Sequence, residues 1–396
     1  MKERFNETLL ANVDKLAEHF KLNCNSLILW QGGAMRAMLN KSLLALFFSL
    51  VAAVVYAQNN PAIPIVAIGD IHGDYDNFKK VLIDAGLINR RGNWIAGDTR
   101  FVQLGDLPDR GPDTEKIIKQ MQKLQRQATK DGGEVFALIG NHEAMNIYGD
   151  LRYVHPGEYK ALKGKNSRQL RSRYYDAEVA RLSADDTFVA DSRFKDQWLQ
   201  SHPLGFVEHR IAWSPDGKFG SWVVANNAIV KIGRSLFVHG GISPRLLGMS
   251  IDDINSQVRN ELKGDLPEEP GLSEAEDGPL WYRGLASNDE QLEADHADDV
   301  LAAFDVDRIV LGHTPGLGTI VPRFGGKVLI IDTGISKYYG SHLASLRIEE
   351  RNYFTIQNGE KIPLPNTNSE MLNYFERMAK EKPTQALLNR LEELKP

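Results

Sequence analysis

The chain has 396 residues, 42% hydrophobic and 25% charged, with a formal net charge of -5. This balance supports a sizeable core and excludes disorder and a multi-pass membrane protein, and the negative charge gives no broad cationic field for a nucleic-acid polymer. A single cysteine, Cys24, excludes a disulfide framework and a thiolate zinc site.

Residues 1–34 place Leu9, Val13, Leu16 and Phe20 on one helical face. "MRAMLNKSLLALFFSLVAAVVYAQ" follows, with Arg36 and Lys41 ahead of an apolar run from Ser42 to Val55, then Ala57 preceded at two residues by Val55. That is a secretory signal pattern over 35–57. Translation is expected to start at Met35 or Met38, which makes 1–34 a leader without chemistry. The run falls short of the ~20 apolar residues of a comfortable membrane span. Cleavage and a periplasmic or secreted protein are therefore expected, with an uncleaved membrane anchor as the alternative.

From Pro61 short apolar strands alternate with helical patterns, which predicts an α/β domain over about 61–350. "IPIVAIGDIHGD" is a strand running into Gly69 and Asp70; Phe78, Val81, Leu82 and Ala85 after it share a helical face. "RFVQLGDLPDRG" repeats the arrangement. Ile117, Ile118, Met121 and Leu124 then mark a second helix stopped at Gly132 and Gly133, and "EVFALIGNHE" returns as a strand, with Gly140 expected to permit its sharp exit. "AIVKIGRSLFVHGGIS" reads as a hairpin turning at Gly233, followed by "VDRIVLGHTPG" and "KVLIIDTGIS". Between these lie a polar stretch from Tyr148 to Gly220, expected to be a helical insertion, and an acidic one from Ser250 to Asp299, expected to be mostly loop or short helix. A charged, helix-prone tail occupies 360–396.

The strand ends supply Asp70 and His72, then Asp106, Asp109 and Arg110, then Asn141 and His142, then His239, then His313. Singly, a histidine after a strand is most often structural, and Asp113 or Thr114 reads only as a helix cap. Five strand ends that all carry metal-ligating types are not explained singly, because open α/β sheets bind ligands at the carboxyl ends of their strands. Carboxylate, imidazole and amide oxygen without thiolate suit Mn, Fe or Zn in an open site. A carboxylate shared by two cations ~3.5–4 Å apart permits water activation and in-line phosphoryl transfer. Arg110, beside a metal-binding Asp, offers a fork that matches phosphate oxygens. His142 with Asp109 fits a general acid kept off the metals.

"GDIHGDYDNF", "GDLPDRGPD", "GNHEAMN", "HGGIS" and "GHTP", in this order from Gly69 to Pro315, resemble the calcineurin-like metallophosphoesterases and, within them, the phosphoprotein phosphatases. "GNHEAMNIYGDLRYV" resembles the Shewanella-like branch. The resemblance implies two packed mixed β-sheets flanked by helices and a centre of two Mn, Fe or Zn ions. It implies Asp70 and His72 on the first metal, Asp106 bridging, and Asn141, His239 and His313 on the second. It also implies Asp109 paired with the acid His142, Glu143 in support, Arg110 on the phosphate, and a second substrate-binding arginine for which Arg283 is the candidate. Tyr338 and Tyr339 are expected to be packed aromatics rather than a wall of the site. The "SAPNY" ending of the eukaryotic serine/threonine enzymes is absent, and the Tyr148 to Gly220 insertion is extra. The function expected is hydrolysis of a phosphomonoester on a protein or peptide, with phosphotyrosine preferred. A diadenosine tetraphosphate hydrolase and a catalytically silent binding protein are the alternatives.

Overall fold

The computed structural model describes residues 63–185, 187–264 and 270–395. The signal-like segment and the leader before it lie outside the described residues. Within those, no helix is long and apolar enough to cross a membrane.

Among the described residues eleven strands form two mixed sheets. The strands are β1 (Ile65–Ile68), β2 (Arg100–Gln103), β3 (Glu134–Ala137), β4 (Ile229–Ile232), β5 (Ser235–Val238), β6 (Arg308–Leu311), β7 (Val321–Arg323), β8 (Val328–Ile330), β9 (Ala344–Glu349), β10 (Asn352–Gln357) and β11 (Glu360–Pro363). One sheet has the order β11-β10-β9-β1-β2-β3, the other β4-β5-β6-β8-β7. In the first, β1, β2 and β3 run parallel. In the second, β5, β6 and β8 do. The β4–β5 hairpin turns at Gly233, whose φ is 58°.

Period-2 alternation explains the layers, because successive side chains of a strand face opposite ways. Ile65 and Ala67 of β1, Phe237 of β5, Val310 of β6 and Leu329 of β8 join one buried cluster between the sheets. Their neighbours Val66, Ile68, Leu236, Val238, Ile309 and Leu311 belong to a second cluster under the helices. Both faces are apolar, so the central strands read as continuous hydrophobic runs. Truncating a ring such as Phe237, fully buried, to alanine would cost about 3–5 kcal/mol.

The helices are α1 (Tyr75–Asp84), α2 (Thr114–Lys130), α3 (Asn141–Tyr148), α4 (Pro156–Leu162), α5 (Ser167–Leu182), α6 (Ser192–Ser201), α7 (Phe206–Trp213), α8 (Gly220–Val223), α9 (Ile251–Leu262), α10 (Gly284–Ser287), α11 (Glu290–Ala303), α12 (Asn368–Glu381) and α13 (Gln385–Leu394). In α2, Ile117, Met121, Leu124 and Ala128 are buried along one face. Helices α4 to α7 fall in the polar stretch after Tyr148, which carries no apolar strand. Its rings hold it together: Trp198 stacks on His202 at 4.1 Å and meets Tyr175 edge-on at 5.1 Å.

The acidic stretch after Ser250 departs from its expected loop, for α9 and α11 are full helices. Ser250 caps α9 by accepting from the Asp253 N–H at 3.1 Å, and Ile254, Val258 and Leu262 are buried beneath it. The tail packs as well, with Phe375, Met378, Leu387 and Leu391 in the cluster between the sheets. Lys382, between α12 and α13, donates to the carbonyls of Gly340 and Ser341 at 2.6 and 2.9 Å, and Thr384 to that of Leu317 at 2.9 Å. The tail thereby ties down the loops after β6 and β8.

Candidate active site

Six parallel strands, three from each sheet, deliver their carboxyl ends to one place. Asp70 and His72 follow β1, Asp106 follows β2, Asn141 and His142 follow β3, His239 follows β5 and His313 follows β6. The sixth end, after β8, adds Asp332, which the sequence reading passed over. It is buried and accepts from the Gly334 N–H at 3.0 Å. Its signal was present, since "IIDTG" ends an apolar strand in an acid and a glycine as "AIGD" and "LGD" do.

The backbone around this point is held in sparsely populated conformations. His72, Asp106, Asp109, Arg110 and His313 have φ of 49°, 55°, 69°, 64° and 62°. Such residues cost about 1–3 kcal/mol each and persist only where their surroundings over-determine them. Glu143 supplies part of that support. Its Oε2 accepts from the N–H of Asp106 at 2.9 Å and of Gly140 at 2.8 Å, and its Oε1 from that of Leu107 at 2.7 Å. Gly140 serves close approach rather than a left-handed exit: its φ is -99°, but a Cβ there would lie 2.3 Å from Asp106 Oδ1.

Asp106 is the centre of the cluster. Its Oδ1 lies 3.2 Å from His239 Nε2, and its Oδ2 is 3.7 Å from His72 Nε2 and 3.8 Å from His142 Nε2. Ligand atoms of Asp106, His239 and His313 fall within 4.8 Å of one another, as do those of His72, Asp106 and His142, so Asp106 is common to both groups. Asn141 Oδ1 is 2.9 Å from His239 Nε2, and Asp70 Oδ2 is 3.7 Å from His72 Nε2. Outer hydrogen bonds orient the imidazoles. His72 Nδ1 meets the Pro108 carbonyl at 3.3 Å and His239 Nδ1 that of Leu104 at 2.7 Å, which turns both Nε2 atoms inward.

The electrostatics are those of a site that wants cations. Burial, reinforced by Asp332 and Asp106, drives the Asp70 carboxyl well above the ordinary range. Burial together with the Asp106 charge lifts Glu143 to about 7. Burial and the neighbouring His142 depress His72 to about 3, which keeps its imidazole neutral and its inward lone pair free for a cation. His313 Nε2 is buried and has no hydrogen-bond partner among the described residues. Converging carboxylates, neutral imidazoles with inward lone pairs and an orphaned ring nitrogen fit a metal centre.

His142 stands apart in its other nitrogen. Nδ1 lies 2.6 Å from Asp109 Oδ2, and although burial opposes the charged form, Asp106 and Asp109 outweigh it and raise the imidazole above its usual value. Arg110 projects beside this pair. Its guanidinium sits 3.9 Å from the ring centre of Tyr153 and 4.8 Å from that of Tyr338, and Nη1 donates to the Tyr338 hydroxyl at 3.2 Å. Tyr338 is therefore no packed aromatic but 60% exposed, and Tyr339 lies 5.1 Å from His72. Both belong to the wall of the site. Asp74 fixes their loop by accepting from the Lys337 N–H at 2.8 Å, and Asn77 by donating to the Ile335 carbonyl at 2.8 Å. Arg283 reaches the same floor, with Nη1 donating to the His313 carbonyl at 2.8 Å and to Thr314 Oγ1 at 3.1 Å. Asp113 stands at the N-cap of α2 without a side-chain cap bond, and Thr114 donates instead to Glu158.

The family model described as calcineurin-like phosphoesterase matches residues 63–317. The chain belongs to the calcineurin-like phosphoesterases. This phosphoesterase is 34% identical to an uncharacterized protein of Schizosaccharomyces pombe, over 73% of this chain and 78% of that one. It is 30% identical to Shewanella-like protein phosphatase 2 of Arabidopsis thaliana, over 69% and 71% of the two chains. Among solved structures, a cold-active protein-tyrosine phosphatase of a psychrophilic Shewanella species superimposes with a TM-score of 0.58 at 28% identity, covering 76% of this chain and 80% of that one. The two mixed sheets flanked by helices are the metallophosphatase fold, and the protein is a phosphoester hydrolase.

Proposed function

We propose that this phosphoesterase is a dinuclear metal-dependent protein phosphatase that prefers tyrosyl phosphate. The observation that carries the preference is Arg110 held between Tyr153 and Tyr338 beside the His142–Asp109 pair. A phosphate gripped by Arg110 would place its ester group between aromatic walls, which favours a flat phenyl ring over a short alkyl chain. The tyrosine phosphatase activity named for the Shewanella relative points the same way.

Asp70 and His72 would hold one cation, Asn141, His239 and His313 another, with Asp106 shared between them. The chemistry such cations supply when bound is activation of a water for in-line displacement and neutralisation of charge on the transferring phosphoryl group. Arg110 would orient the phosphate, with Arg283 as a second cation. Asp109 holds His142 Nδ1, so that Nε2 presents a proton to the departing oxygen. The signal pattern ahead of Ala57 supports export, which cell fractionation checks.

The deciding assay treats the purified protein with chelator, restores Mn, Fe or Zn, and follows phosphate release from a phosphotyrosine peptide, a phosphoserine peptide and diadenosine tetraphosphate. Metal-dependent turnover, fastest on phosphotyrosine, is expected; turnover of the dinucleotide alone would replace the protein phosphatase by a nucleotide hydrolase. His142→Asn should lower the rate on phosphopeptide by ~10²–10⁴-fold, and by much less on nitrophenyl phosphate, whose leaving group needs little protonation.

A further inference from the structure

Helix α3 carries more than the two residues that open it. Asn146, one turn beyond His142, is wholly buried. Its amide nitrogen donates to both carboxylate oxygens of Asp109, each at 3.1 Å, and to the His142 carbonyl at 2.9 Å. Asp109 itself stands on a left-handed backbone after β2. Nothing in that strand fixes the direction of its carboxylate, whereas the Asn146 amide does so from the same helix that bears the imidazole.

The far end of α3 is held from the insertion. The last carbonyls of a helix have no partner within it, and here Arg210 of α7 donates Nη1 to the carbonyl of Asn146 and Nη2 to that of Ile147 at 3.0 Å. Gly149 closes the helix at φ 99°, and a Cβ at this position would meet Arg210 Nη2 at 3.2 Å. A two-turn helix is thereby gripped at its start by the Glu143 carboxylate and at its end by the Arg210 guanidinium.

A buried Asn chosen only for stability would have both ends of its amide satisfied. Asn146 Oδ1 is instead buried without a partner among the described residues. An unmet buried acceptor costs about 1–3 kcal/mol, which favours a residue kept for what its nitrogen does. We infer that Asn146 is a positioning residue for the Asp109–His142 pair, and that Arg210 couples this positioning to the helical insertion. The insertion then serves proton delivery as well as substrate choice.

This rests on the proposed acid role of His142, and the test separates the two. Asn146→Ala, His142→Asn and the double variant are compared on phenyl phosphate, whose leaving group needs the proton, and on nitrophenyl phosphate, which hardly does. Asn146→Ala is expected to lower kcat on phenyl phosphate about tenfold or more, with KM and metal content unchanged and the nitrophenyl rate nearly intact, as a displaced catalytic group predicts. In the His142→Asn background it should do nothing further. Arg210→Lys, which keeps a cation at the helix end but loses the two-carbonyl fork, should show a weaker loss of the same substrate pattern and stands in if Asn146→Ala does not fold. In metal-free protein labelled at histidine, the downfield Nδ1–H resonance of His142 should move in Asn146→Ala. Equal losses on both substrates, additivity with His142→Asn, or an unmoved resonance would reduce Asn146 to a packing residue. Full activity of His142→Asn on phenyl phosphate would remove the acid itself, and the positioning role with it.

Discussion

The guanidinium carbon of Arg110 lies 3.9 Å from the ring centre of Tyr153, so the proposed phosphate grip is held by a residue of the polar stretch that interrupts the fold. Tyr338 covers the other face. Cation–π contacts of this kind contribute about 0.5–2 kcal/mol, and the rings also wall the space an ester group must enter. Tyr153→Ala and Tyr338→Ala should each lower kcat/KM for a phosphotyrosine peptide by about 3- to 30-fold on that energy scale. The loss on a phosphoserine peptide should be smaller. Steady-state kinetics on matched peptides measures this, and equal losses on both would limit the rings to holding Arg110.

Glu143 sits next to the proposed acid and has a different task. Its carboxylate accepts three backbone N–H groups, from Asp106, Leu107 and Gly140, at 2.7–2.9 Å. A glutamine would turn a donor toward at least one of them. Glu143→Gln should therefore destabilise the fold by about 1–3 kcal/mol, the cost of an unmet buried group. Chemical denaturation of the metal-free protein reads this directly, without involving turnover.

Most of the site was legible because each ligand type follows an apolar strand, and strands that are buried on both faces announce themselves by composition. Asp332 obeyed the same pattern but was passed over. Tyr153 lay inside the "GNHEAMNIYGDLRYV" match but received no role, since it belongs to a polar segment whose position is set by contacts far away in sequence, such as the 3.1 Å bond from the Arg110 N–H to its carbonyl. Tyr338 was misread for a related reason: a pair of tyrosines looks like core until its loop is seen pinned by Asp74 and Asn77. Helix α9 had its apolar spacing at Ile254, Val258 and Leu262 all along, hidden by acidic neighbours.

Cation binding should be measurable apart from turnover. A ligand that binds only the folded state stabilises it by RT ln(1 + [L]/Kd), about 2.7 kcal/mol at a hundredfold excess over Kd. Mn added to chelated protein is expected to raise the melting temperature in a concentration-dependent way. Asp106→Asn should abolish most of the rise, because Asp106 belongs to both ligand groups. A full rise in this variant would show that the cation binds elsewhere.

Glu158 on α4 makes a prediction about pH that does not involve the proposed metal ligands. It is buried against the start of α2, accepting from Thr114 N at 3.1 Å and from Thr114 Oγ1 at 2.5 Å. Burial outweighs these bonds and pushes its carboxyl from 4.5 to about 7. The folded state thus keeps a proton that the unfolded chain gives up near 4.5. Between those values the unfolded state binds fewer protons, so the stability this group contributes is full below about 4.5 and falls as pH rises towards 7. His209 on α7, lowered by burial to about 3, works in the opposite direction, contributing stability that is lost as pH falls below 6.5. Wild type alone would mix the two. Glu158→Gln isolates the first, because its amide carries no charge at any pH. The unfolding free energy of wild type minus that of Glu158→Gln, from urea denaturation at pH 5 and pH 7.5, should be smaller at the higher pH. A difference that is flat or grows with pH would mean that Glu158 is already ionised in the folded protein.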